Sequence, residues 1–183
     1  DLVGLPYSDP VMDGPTIPAA VDVALTSGIR TTDVIDTVRE VAADGTPVLV
    51  MSYWNPIERY GTAQFASDLA AAGGVGVITP DLTPEEALEW NHATDSAGVD
   101  RVFLVALSST NERIATVCAE TTGFVYAGAV MGVTGARASV SDAVSGLVAR
   151  TRAVTSLPIA VGLGVSTAEQ AHAIARSEEH TSE

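Results

Sequence analysis

The chain has 183 residues with nine basic and 23 acidic side chains, a formal net charge of -14, and 46% apolar residues. That is a folded composition, long enough for a domain with a sizeable core, and it excludes disorder. So acidic a surface also excludes nucleic acid as a partner, because its phosphates would be repelled.

The chain opens with Asp1–Leu5, which reads as a strand cut short by the chain start. Short apolar runs then recur at 47–51, 75–78, 101–105, 124–127 and 158–161. Each is β-branched or aromatic and nearly continuous, as in strands buried on both faces of a parallel sheet. Helical periodicity fills the intervals at 31–43, 62–72, 84–96, 110–120, 139–154 and 166–176. Helix starts are readable at Thr83-Pro84-Glu85-Glu86, at Ser109 with Glu112, and at Ser166 with Glu169, each a hydroxyl followed three residues later by glutamate. Six strands alternating with helices, with no linker between them, predict one α/β domain over residues 1–175.

A doubly wound sheet and a (β/α)8 TIM barrel both fit this alternation. No G-x-G-x-x-G fingerprint is present, and polar, Gly-rich segments follow several different strands, which favours the barrel. A whole barrel usually needs about 200 to 250 residues, so about six βα units are expected here.

The residue inventory limits the chemistry. All nine basic residues are arginine, so no Schiff-base or Walker-type lysine is available. The lone Cys118 and the scattered His92, His172 and His180 leave no metal site. No apolar run reaches the roughly 18 residues of a membrane span and no secretory leader opens the chain. The expectation is a cytoplasmic protein without metal and away from membranes.

The densest signal runs from Leu5 to Ile17, with Asp9 and Asp13 on a proline-stiffened loop after the first strand. Two acids there either present carboxylates to a ligand or only cap turns, since Asp-Pro and Asp-Gly are ordinary turn pairs. Tyr126 to Gly135 and Val161 to Ser166 are Gly-rich exits from later strands. Bare N–H groups there suit a phosphate, and tight turns alone also explain the glycines.

Pro6-Tyr7-Ser8-Asp9-Pro10 with Asp13-Gly14-Pro15-Thr16-Ile17 resembles the signature of the tryptophan synthase alpha family. Met51-Ser52-Tyr53-Trp54-Asn55-Pro56, Thr79-Pro80-Asp81-Leu82, Phe103-Leu104-Val105-Ala106, Ser108-Ser109-Thr110, Gly132-Val133-Thr134-Gly135 and Gly162-Leu163-Gly164 follow in the family's order. The resemblance implies a (β/α)8 barrel, a carbon–carbon lyase that cleaves indole-3-glycerol phosphate to indole and glyceraldehyde 3-phosphate in tryptophan biosynthesis. It implies no cofactor in this chain, with pyridoxal phosphate only in a beta subunit partner, in an alpha2beta2 heterotetramer. By position, Asp13 matches the aspartate that faces the indole N–H, and Tyr126 a catalytic-site tyrosine near the glycerol part. Thr134 matches a threonine that orients the aspartate, Gly135 and Gly164 match backbone phosphate contacts, and Tyr53 and Leu163 either line the indole slot or are structural. Asp9, Asn55, Pro56 and Asp81 lie in loops that the family turns toward its beta subunit or uses for coupling.

Four departures stand out. Leu2 occupies the place of the family's second catalytic carboxylate, a glutamate, as if a Glu-Val pair were missing between Val3 and Gly4. Pro18 replaces a glutamine early in a helix, and Leu107 replaces a proline. Residues 176–183 depart from the family and resemble a translated sequencing adapter, giving a non-native or disordered tail. The expectations are therefore an alpha chain of impaired activity, or an alpha-like subunit that only activates a beta partner. A different phosphate-binding TIM-barrel enzyme would leave Asp9 to Thr16 unexplained.

Overall fold

The computed structural model describes residues 1–14, 16–128, 137–162, 168 and 180–182, with the side chains of 137–142 and 180–182 left aside. The chain forms two compact units, residues 1–101 and 102–183. The division falls in the run 101–105, which reads as one strand. It is instead β4 (Asp100–Val102) and β5 (Leu104–Ala106), and these join different four-stranded sheets.

In the first unit the order is β1 (Leu2–Gly4), α1 (Thr16–Thr26), α2 (Thr31–Ala42), β2 (Val48–Met51), α3 (Trp54–Tyr60), α4 (Thr62–Ala71), β3 (Gly74–Ile78), α5 (Leu88–Ala97) and β4. The sheet runs β1-β2-β3-β4, with β1, β2 and β3 parallel. Val34, Ile35 and Val38 sit on one face of α2 and are buried, as are Val48 and Val50 of β2 and Phe65 and Leu69 of α4. Burying such a side chain contributes about 1.5–3 kcal/mol. An aromatic cluster completes the core: Trp90 lies 5.7 Å from Trp54 and 6.2 Å from Phe65.

The helix predicted over 84–96 is broken at Ala87, into a 3₁₀ turn at Pro84–Glu86 and α5. Thr83 Oγ1 donates to Glu86 Oε2 (3.0 Å), so the expected start is present but serves the turn. Gly98 then ends α5 with φ 69°, a left-handed conformation that suits glycine. Pro18 stands in the first turn of α1, where its missing N–H has no intrahelical partner to lose.

The second unit orders β5, α6 (Asn111–Glu120), β6 (Val125–Gly128), α7 (Arg137–Arg152), β7 (Ile159–Gly162) and β8 (His180–Ser182), all four strands parallel. Its core is Val105, Ile114, Val117, Val125, Ala127, Leu147, Ile159 and Val161. The N-cap of α6 is Thr110, whose Oγ1 accepts from Arg113 N (3.2 Å). Ser109, predicted for that role, accepts instead from Ala106 N (3.0 Å) and closes the turn after β5. Arg150 of α7 donates to the Ser109 carbonyl (2.6 Å). The sequence predicts no element beyond 176, yet His180–Ser182 lies beside β7 as β8, supplying partners to an otherwise open edge. The helix start at Ser166 and Glu169 lies outside the described residues.

Candidate active site

The first unit gathers the aspartate loop at the C-terminal ends of β1 and β2. Leu5 extends the β1–β2 ladder by one bond, its N–H donating to Met51 O (2.9 Å), and is buried. The chain then leaves the sheet through Pro6 to Gly14. Ser8 Oγ donates to Asp9 Oδ2 (2.6 Å), and Asp9 is exposed while Asp13 is half-buried. A carboxylate held partly out of water interacts more strongly with a facing donor than a fully solvated one.

The loop is held from β2. Tyr53 is buried, and its phenol oxygen accepts the backbone N–H groups of Val11 (3.1 Å) and Met12 (3.0 Å). Its ring lies 5.5 Å from that of Tyr7. Burial pushes the phenol above its ordinary range, and the nearby negative charge of Asp13 adds to the rise. Trp54 N, the next donor along the chain, points to the carboxylate of Asp81 (2.9 and 3.1 Å). Asp81 thereby satisfies an orphan N–H at the start of α3 from the loop after β3. Asn55 and Pro56, expected in a loop, are in the first turn of α3, with Asn55 exposed. Proline is tolerated there because the first-turn N–H groups have no intrahelical acceptor.

In the second unit Tyr126 is half-buried on β6, and its side chain lies across Gly162 of β7. Thr134, Gly135, Leu163 and Gly164 lie outside the described residues. Among the described residues no group of three His, Cys, Asp or Glu side chains could hold a metal ion, and no helix is long and apolar enough to cross a membrane.

The sequence model described as tryptophan synthase alpha chain matches residues 2–180. The chain belongs to the tryptophan synthase alpha chain family. It is 60% identical over 176 residues to the tryptophan synthase alpha chain of Thermobifida fusca, covering 94% of this chain and 65% of that one. It is 56% identical over 174 residues to that of Mycobacterium marinum, again with 65% of the relative covered. The chain thus spans just under two thirds of the length of these relatives. Among solved structures, tryptophan synthase from Mycobacterium tuberculosis superposes with a TM-score of 0.90 at 49% identity, covering 99% of this chain and 70% of that one. The tryptophan synthase a2b2 complex of Pyrococcus furiosus gives a TM-score of 0.87 at 29% identity, with 98% and 72% covered. Parallel strands alternating with helices, together with these neighbours, make the fold part of a (β/α)8 barrel. A different phosphate-binding barrel is set aside by the family match.

Within the first unit the structure brings together Asp13 and Tyr53, and separately Asp81 with the start of α3. The backbone donors at Val11 and Met12 were not legible as partners of Tyr53, because that bond joins residues about 40 apart in sequence and leaves no local pattern. Gly162 had a signal, the Gly162-Leu163-Gly164 motif, but its closeness to Tyr126 is a tertiary fact.

Proposed function

We propose that the protein containing this chain is a cytoplasmic alpha subunit that cleaves indole-3-glycerol phosphate to indole and glyceraldehyde 3-phosphate, in complex with a beta subunit. The observation that carries the proposal is the half-buried Asp13 on a loop tied to Tyr53, in a chain of this family. Cleavage of the carbon–carbon bond between the indole ring and the glycerol chain needs an electron sink. Protonation of the ring at C3 supplies one, an indolenine whose C=N accepts the bonding pair as the glycerol hydroxyl gives up its proton and becomes the aldehyde. No lysine or metal is required, in keeping with a lysine-free chain. Asp13 faces the indole N–H and stabilises the positive charge that develops there. The resemblance assigns Tyr126 to the glycerol part, Leu163 and Tyr53 to the ring, and the backbones of Gly135 and Gly164 to the phosphate. It assigns Thr134 to the substrate site, and Asp9, Asn55, Pro56 and Asp81 to contact with the beta subunit. Pyridoxal phosphate belongs to that partner alone.

A second reading is favoured by Leu2. Register pairs Leu2 with Leu49 and Val3 with Val50, so Leu2 and Gly4 share the face opposite the buried Val50. Leu2 is 53% exposed and brings no carboxylate to that face. An alpha-like subunit that activates a beta partner without cleaving efficiently fits this. Indole release from indole-3-glycerol phosphate, measured beside stimulation of the beta subunit's serine–indole reaction, separates the two. Stimulation without indole supports the second reading, and neither effect overturns both.

A further inference from the structure

We propose that Tyr53 is a positioning residue for Asp13, acting through two backbone hydrogen bonds to the loop that carries it, and resting on the reading of Asp13 given above.

A phenol has one proton to donate and two lone pairs to accept with. Val11 N–H and Met12 N–H occupy the lone pairs at 3.1 and 3.0 Å. The Asp13 carboxylate, one residue beyond Met12, is close enough to strengthen the phenol's hold on its proton.

Direction of control follows from what holds Tyr53. Ser52 N donates to Ile78 O (3.1 Å) and Trp54 N to Asp81, so the backbone on both sides of Tyr53 is bonded to β3 and to the loop beyond it. The ring is buried and packs on Tyr7. Val11 and Met12, by contrast, are exposed on a loop, at 76% and 39%. The fixed partner is therefore Tyr53, and the loop takes its position from it. A misplacement of about 1 Å in a reacting group costs on the order of 100-fold in rate, so such an anchor bears on turnover rather than on binding alone. A mere wall of an apolar slot would need neither the oxygen nor its two donors.

The test uses the full-length protein in complex with its beta subunit. Tyr53→Phe keeps the ring and its contact with Tyr7 but removes the oxygen. Amide hydrogen exchange at Val11 and Met12 is expected to quicken about tenfold or more, with Val50 and Leu69 unchanged. With indole-3-glycerol phosphate, kcat is expected to fall about 10- to 100-fold while KM stays within about twofold. Placing meta-fluorotyrosine at position 53 restores both. Unchanged exchange at both amides overturns the proposal, as does a raised KM with kcat intact. If the unsubstituted protein releases no indole, the proposed reaction fails, and the exchange measurement alone decides the role of Tyr53. Should Tyr53→Phe not fold, the fluorine resonance of the meta-fluorotyrosine protein must move on Asp13→Asn, and a resonance that stays in place overturns the proposal.

Discussion

The Tyr126 side chain lies so closely over Gly162 that a single methyl on Gly162 would overlap both its ring and its hydroxyl. Register pairs Tyr126 with Ala160 and Gly128 with Gly162, so the phenol reaches along the sheet toward the C-terminal end of β7. Glycine is required here for room, with no demand on backbone conformation. Gly162→Ala is expected to destabilise the protein by about 1–3 kcal/mol, the usual effect of overpacking, and to displace Tyr126. Urea unfolding checks the first. A double-mutant cycle with Tyr126→Ala checks the second, since removing the ring should recover most of the loss. Additive effects would contradict the clash.

Asp81 is expected to matter for stability through Trp54. Its carboxylate accepts the Trp54 N–H at the start of α3, a helix of only seven residues. Asp81→Ala leaves that donor unpaired and should cost about 0.5–2 kcal/mol, whereas Asp81→Asn, which keeps an acceptor, should cost less. Thermal unfolding of the two variants gives the comparison, and equal melting temperatures for both would contradict the role.

Alkaline pH should loosen the aspartate loop. Burial first, and then Asp13, hold the Tyr53 phenol above its ordinary value of 10.0, so the folded state keeps a proton that the unfolded chain releases. This contribution is fully present below pH of about 10 and is lost as pH rises through the higher folded value. Tyr60 shifts the same way through its hydrogen bond to Asp68, so the readout is a difference. Wild type minus Tyr53→Phe, followed by urea midpoint from neutral pH upward, should show stability falling only where Tyr53 is present. Parallel curves would contradict it.

The elements that depend on local pattern were legible, and those that depend on distant partners were not. The run Val34, Ile35, Val38 marks α2 because one helical face is apolar and becomes core. Ser109 carries the capping-box spacing with Glu112, yet the bond from Ala106 N occupies it and leaves the cap of α6 to the adjacent Thr110. The run 101–105 is uniformly strand-like, and nothing in it marks Phe103 as the residue between two sheets. Asn55 and Pro56, expected in a loop by the resemblance, belong to α3, and that helix exists with Asp81 as its distant acceptor. The site divides the same way. Asp13 is marked by its stiff, acidic loop, while its link to Tyr53 follows from how β1 and β2 pair.

The most direct measurement is steady-state indole release from indole-3-glycerol phosphate by the full-length protein with its beta subunit, before and after inserting a Glu-Val pair following Val3. The expected result is slow release from the protein as it stands and a rise of about 10²- to 10⁴-fold once the carboxylate is supplied, the usual worth of a positioned general acid. No indole from either protein would contradict the assignment.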